Sequence, residues 1–235
     1  MTAERIGPPF TLNGIRTGAI AGLVLLPGVA MYGVAFGILA DVTRLSAAEA
    51  ILFSAWAYAG GAQLAVLQAW SEPVPLVAVC LTALAMNARY FLLGAALRPW
   101  LAGLPAPQTY ASLFVLGDSN WALALREYHA GRIDAGYLLG SGLAMWVTWV
   151  ASTAAGHVFG QVIGHPERFG IDFMLPAFFA TIAVSFVRKP RDLWPLLAGI
   201  VTAVAVDRMV AGPWYIIAGA VVGSFVGMLR HGRAA

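Results

Sequence analysis

The stretch Leu81-Thr82-Ala83-Leu84-Ala85-Met86-Asn87-Ala88-Arg89-Tyr90 lies inside an apolar run that opens near Pro75 and continues through Leu97. A run of about 20 predominantly apolar residues is long enough to cross a bilayer. Asn87 and Arg89 would then stand at membrane depth. A charged side chain there costs about 2.5–3.5 kcal/mol at a helix centre, so it faces a partner or a wet cavity. Arg89 is about six residues from the end of the run, roughly 9 Å at 1.5 Å per residue, and its stem could instead snorkel to the headgroups. The stretch predicts a membrane helix and leaves Arg89 two roles, structural pairing or contact with a transported solute.

Composition points the same way. Hydrophobic residues make up 60% of the chain and charged residues 11%, where a soluble domain carries about 25% charged. The fold class expected is an all-α polytopic membrane protein, a single transmembrane domain over residues 1–235. The net charge of +3 comes from basic residues at helix ends, which set orientation, and nucleic acid is not an expected partner. The single Cys80, inside an apolar run, reads as an inert packed thiol that cannot form an intramolecular disulfide. The polar, Pro-rich start has no apolar core leading to a small-residue cleavage site, so no signal peptide is expected. His129, His157, His165 and His231 lie near ends or loops and form no metal set. With no HExxH, no GxSxG and no phosphate-binding loop, neither an enzyme, a cofactor nor an ATPase module is expected.

Eight spans are predicted, seven if one weak span merges or breaks. The first, about Thr17–Ala40, contains Leu26-Pro27-Gly28, where a kink or break is expected. Gly33 and Gly37 follow at small-xxx-small spacing, which favours close helix packing. Ser46 and Glu49 fit a capping box that opens the second span, about Ala50–Trp70. That span carries Tyr58-Ala59-Gly60-Gly61-Ala62-Gln63, where paired glycines suit locally unwound backbone. The buried Gln63 needs partners, from an interhelical hydrogen bond or a ligand. The third span runs to about Leu97 and is closed by Arg98-Pro99-Trp100. The fourth, about Tyr110–Leu125, is interrupted by Gly117-Asp118-Ser119-Asn120, so a full crossing and a broken one both stay open. The fifth covers about Ala135–Phe159, with His157 between Gly156 and Gly160, a structural rather than a proton-relay position. The sixth is about Phe173–Val187, the seventh about Leu193–Val206 meeting Asp207-Arg208, and the eighth Trp214–Leu229.

With the N-terminus inside, the inner connections of this eight-span scheme hold nine Lys or Arg residues and the outer ones Arg44, Arg98, Arg168 and Arg208, which satisfies the positive-inside bias. The opening stretch also recurs. Pro75 to Arg89 compares with Pro195 to Arg208, Thr82 answering Thr202 and Asn87 answering Asp207. Gly33 and Gly37 are answered by Gly156 and Gly160. A duplication with halves 17–125 and 135–230 is expected, parallel if the fourth span crosses and inverted if it does not. Repeat interfaces are where transporters place their sites.

Leu26-Pro27-Gly28 with Gly33 and Phe36-Gly37, then Ala59-Gly60-Gly61-Ala62-Gln63, Asn87-Ala88-Arg89-Tyr90 and Gly117-Asp118-Ser119, resemble in order and spacing the AzlC-type branched-chain amino-acid permease family over about residues 14–230. The family pattern Asp-Glu in the fourth span is Asp118-Ser119 here. The resemblance implies a secondary transporter of the cell inner membrane. It would export valine, leucine, isoleucine or similar apolar amino acids, methionine among them, together with a small AzlD-type membrane subunit of about four spans. A passive channel or a structural subunit of a transport complex are the alternatives.

A zwitterion needs donors for its carboxylate and acceptors for its ammonium. The candidate substrate-binding residues are Pro27, Gly28, Gly60, Gly61, Gln63, Asn87, Asp118 and Asn120. Asp118, Arg89 and Asp207 are candidates for proton coupling or ion pairing. Asn87 and Arg89, two residues apart, point in nearly opposite directions on a regular helix. Asn87 is therefore expected at the cavity, and Arg89 as a pairing residue with Asp118 as its possible partner. Burial of Asp118 is expected to raise its pKa and suit it to proton coupling.

Overall fold

Small residues decide how the first and fifth spans pack. The computed structural model describes residues 9–68, 70, 74–132, 134–163, 170, 173, 180, 184, 187, 189–210 and 214–231. Helix α1 (Leu12–Gly22) passes through one 3-10 turn (Leu23–Leu25) into α2 (Leu26–Val42). Helix α9 spans Gly136–Ile163. A side chain added to Gly18 would overlap the Tyr137 backbone, one on Gly37 the Thr153 carbonyl, and one on Gly140 the Ile15 carbonyl. Gly156 closes on Val34 and Gly160 on Asp41. These positions rise together along both helices, so the two run parallel, backbone against backbone. The close packing expected of Gly33 and Gly37 is what the structure shows, since Gly33 abuts Ser152 and Trp149.

The kink expected near Pro27 takes the form of that 3-10 turn. Pro27 sits at the start of α2, where its missing N–H costs least. Past α2, Thr43 and Arg44 turn the chain, and the predicted capping box opens α3 (Ala47–Ala57): Glu49 N–H donates to Ser46 Oγ at 3.3 Å and Ser46 N–H to Glu49 Oε2 at 2.8 Å. Helix α3 lies antiparallel to α9, with Leu45 beside His157 and Ser54 beside Thr153. It stops at Tyr58, and α4 (Gly60–Gln68) follows.

The run Leu76–Leu101 consists of α5 (Leu76–Asn87) and α6 (Arg89–Leu101), interrupted at Ala88. Helix α6 runs through Pro99 rather than ending before it. Then come α7 (Ala106–Phe114) and α8 (Asp118–His129). Arg89 pairs with Asp118 at 3.0 Å, the Leu93 carbonyl accepts from Trp121 Nε1 at 3.2 Å, and the Trp100 and Tyr128 ring centroids are 5.6 Å apart. These pairs ascend together, so α6 and α8 are parallel. Helix α7, between them, must run the other way. Its 9 residues and the 12 of α8 give about 14 and 18 Å, short of a hydrocarbon core of about 30 Å. The fourth span is thus the broken alternative, a hairpin of two half-length arms. The break lies at Val115–Gly117, and Asp118–Asn120 begin α8 rather than interrupt it. Leu97, Trp100, Leu101, Leu116, Ala124, Ala135, Tyr137 and Leu138 form the core around it.

The described chain divides into two compact units. One joins residues up to Gln63 with those from Ala88 through α9; the other joins Leu64–Asn87 with the C-terminal helices. These boundaries cut across the sequence halves 17–125 and 135–230. In the second unit, α10 (Leu193–Met209) and α11 (Trp214–His231) form an antiparallel pair, Gly199 against Gly219 and Gly223 against Pro195. Helix α10 continues past Val206, so Asp207 lies on its last turn, exposed. The predicted sixth span falls almost wholly outside the described residues. Cys80 is a correction. It is exposed, because an apolar helix in a membrane can turn its small side chains outward as readily as inward.

At the foot of α8, Arg132 forks onto both carboxylate oxygens of Glu127, which holds the Glu127 carboxyl below the usual range. A group whose pKa is lower folded than unfolded stabilises above its unfolded pKa and loses that contribution as pH falls through the folded value. Glu127→Gln should lower the detergent-solubilised melting midpoint at neutral pH and flatten its decline into acid. The glycine seam gives a sharper contrast. Gly156→Val should cost about 1–3 kcal/mol by overpacking, a midpoint fall of roughly 2–12 °C. At Gly28 an added Cβ meets nothing within 4 Å, so Gly28→Ala should leave the midpoint level or raise it. Equal losses at both positions would refute the seam.

Candidate functional site

Two interruptions of backbone come together in the first unit. The Val115–Gly117 break is buried, Val115 being 2% and Leu116 5% exposed, and Ala59 at the other break is 1% exposed. Non-helical backbone at membrane depth is tolerated only where protein covers it or water reaches it, because each unpaired group costs several kcal/mol. The sequence supplies the cover locally. Asn120, fully buried, accepts from the Gly117 N–H at 2.6 Å and donates from Nδ2 to the Val115 carbonyl at 3.0 Å. Both functions of its amide are engaged in closing the hairpin tip.

The break at Tyr58 is secured from α9. The Ala55 carbonyl, one of the orphan acceptors at the end of α3, accepts from Trp146 Nε1 at 2.9 Å. Thr153 and Ser54 share a 2.8 Å hydroxyl contact, Gln63 Nε2 donates to Ser54 Oγ at 3.2 Å, and Trp149 Nε1 donates to Gln63 Oε1 at 3.1 Å. Gln63 is fully buried, and of its two sequence-based readings the geometry provides the interhelical hydrogen bond. Gly60 leaves room for the Trp149 ring, which a Cβ there would strike. Phe36 stacks on the same ring at 6.2 Å. Gly61 is buried behind it.

At the other tip stands the Arg89–Asp118 pair. Asp118 opens α8, where the helix dipole favours a negative charge. Arg89 opens α6 and lies over the Tyr90 ring at 5.4 Å. The expectation that Asp118 is buried is not met. Its side chain is 41% exposed and that of Arg89 29%, because the break gives Asp118 an arginine and open space instead of apolar neighbours. Arg89 Nε is buried without a partner among the described residues, so the guanidinium keeps a donor in reserve. A Cβ on Gly117 would come within 3.7 Å of the Tyr58 ring, which puts Tyr58 at the same junction.

Pro27 and Gly28 are exposed on helical backbone, and no freed donors gather there. Asn87 and Asp207 belong to the second unit. Asn87 Oδ1 is buried and accepts no hydrogen bond among the described residues. Ala88, between Asn87 and Arg89, keeps helical backbone angles, φ −53° and ψ −29°. His157 is 3% exposed, with Nε2 at 2.8 Å from the Leu45 carbonyl and 3.8 Å from Asp41. Sequence reading passed over Tyr58, Trp149 and Ser54. The signal for Tyr58 was its place immediately before Ala59-Gly60-Gly61, the end of one helix and the start of another.

The AzlC protein family matches residues 24–163, more than half of the chain and the segment that holds both tips. A relative from Bacillus subtilis (strain 168), the branched-chain amino acid transport protein AzlC, is 25% identical over 198 residues, 82% of this chain and 76% of that protein. No solved structure matches. The chain belongs to the AzlC family of membrane transport proteins.

Proposed function

We propose that this protein is a secondary transporter that exports branched-chain and similar apolar amino acids, valine, leucine, isoleucine and methionine, across the inner membrane. In this reading its N-terminus is cytoplasmic, it works with a small AzlD-type membrane subunit, and the proton gradient drives it. The observation that carries the reading is the half-open Arg89–Asp118 pair at a hairpin tip. An amino acid is itself a cation and an anion a few ångströms apart. It can replace the internal pair, its carboxylate taking Arg89 and its ammonium taking Asp118, so neither charge is left unpaired at membrane depth. The first turn of α8 adds donors on the carboxylate side. Protonation of Asp118 would release Arg89 and couple the exchange to the gradient.

Counterflow of labelled valine, leucine, isoleucine and methionine in proteoliposomes, with and without the small subunit, tests the activity. A carrier accelerates exchange when substrate is present on the far side, whereas an open pore does not. A flux that appears only with the partner, and persists when this chain carries site substitutions, would make it a structural subunit. Arg89→Ala and Asp118→Ala should each lower exchange at least tenfold, about 1.4 kcal/mol. The double variant should stay as low, because both groups touch substrate; its return to wild-type exchange would reduce the pair to a structural role. Asp118→Asn should also abolish the pH dependence, and an unchanged pH profile would sink proton coupling through this residue.

A further inference from the structure

Helix direction says more about the membrane path than span length does. The α1–α2 run and α9 are parallel, so in a bilayer the chain between Val42 and Gly136 must cross an odd number of times. The α7–α8 hairpin contributes no crossing. The 26-residue run Leu76–Leu101 contributes one. The remaining segment, residues 47–68, must then contribute none, although sequence reading gives it a full span. Local geometry agrees. Ser54 and Gln63 are hydrogen bonded at 3.2 Å, yet on a continuous helix nine residues would separate them by about 13 Å, beyond the joint reach of these side chains. The chain folds back at Tyr58, whose φ of 36 is left-handed. Such a conformation in a non-glycine residue costs of order 1–3 kcal/mol and persists only where the surroundings impose it.

We propose that residues 47–68 form a second hairpin, entering from the membrane face opposite to α7–α8, and that the two tips meet at Tyr58 and Gly117 as the barrier in the transport path, with the Tyr58 ring as its gate. The proposal rests on the transport reading and adds the path to it. Residues 12–68 and 76–129 become two copies of one plan, a long crossing helix followed by a broken hairpin, in opposite orientation. Inverted repeats of this kind place a transporter's site near the midplane. Charge supports the path. It brings Arg98 to the same side as Arg16, Arg126 and Arg132, so the inner tally of Lys and Arg becomes ten against three, a stronger positive-inside bias.

The first hairpin is held to α9 by the Ser54–Thr153 contact and by Gln63 on Trp149, and the second to α6 by Trp121 on Leu93. Between the tips, a Cβ added to Gly117 would lie at ordinary van der Waals distance, 3.7 Å, from the Tyr58 ring. No hydrogen bond joins Tyr58 to Gly117 among the described residues, so the two tips are not tied to each other there. The Arg89–Asp118 pair lies directly at this junction, where a zwitterion would arrive.

The test combines topology with leak. In a Cys80→Ala background, single cysteines at Thr43, Val74, Ala102 and Ala130 are labelled with a membrane-impermeant maleimide in intact cells and in inverted vesicles. Thr43 and Val74 should label from one face, and Ala102 and Ala130 from the other; labelling of Thr43 and Val74 from opposite faces overturns the second hairpin. In proteoliposomes without a gradient, Tyr58→Ala should raise downhill valine leak at least tenfold, while Tyr58→Phe, which keeps the ring, should not. An unchanged leak in Tyr58→Ala with the labelling pattern intact removes the gate. A wild-type protein inert toward every branched-chain amino acid would defeat the transport reading and leave the labelling to decide the path.

Discussion

The backbone-to-backbone seam between the first long helix and α9 is the contact on which the first unit depends. Lipid tails are as apolar as leucine, so burial alone gives two membrane helices no reason to associate. What remains is close van der Waals packing, and that needs small residues in step on both partners. Gly18, Gly33 and Gly37 supply them on one side, Gly140, Gly156 and Gly160 on the other. Because the seam is continuous over the length of both helices, it fixes their direction as well as their contact. Everything between Val42 and Gly136 is constrained by the requirement that the chain come back to where it started.

From that rigid pair the two interruptions are held in place. Helix α9 presents Trp146, Trp149 and Thr153 to the end of α3, and its Gly142 leaves room for Val115 and Asn120 of the hairpin. Each broken helix end therefore has its carbonyls or amides met by a side chain, and the network around Gln63 is satisfied rather than waiting for a ligand. A satisfied network rigidifies. The group that is not sealed in this way is the Arg89–Asp118 pair, partly open and with a donor to spare.

Much of this was legible in the residues. Composition gave the all-helical membrane class, Gly33 and Gly37 the packing face, Ser46 and Glu49 the cap, and the polar interruption at Asp118 a break. What escaped was direction. A half-membrane hairpin and a kinked crossing have the same apolar length and the same glycine, so periodicity cannot separate them. The difference lies in contacts between residues distant in sequence, such as Leu93 with Trp121 and Trp100 with Tyr128. The readings of Gln63 and Asn120 turn on a related point: a polar residue at membrane depth announces a need for partners, and here the protein's own side chains and broken ends supply them. Asp118 was misjudged because burial was inferred from depth, whereas the break itself brings exposure.

Half-length helices also explain why the charges can sit where they do. A carboxylate and a guanidinium in the middle of two continuous helices would face apolar neighbours above and below, and the cost of each would approach that of an isolated intramembrane charge. Starting α8 at Asp118 puts the carboxylate at the positive end of a helix dipole and beside open space. Arg89, the first residue of α6, reaches the carboxylate at 3.0 Å. The pair is thus tolerated because the chain is broken beside it, at Val115–Gly117. In the proposed transport reading a solute of the same charge pattern would substitute for the pair, so the break that makes the charges bearable would also make them exchangeable.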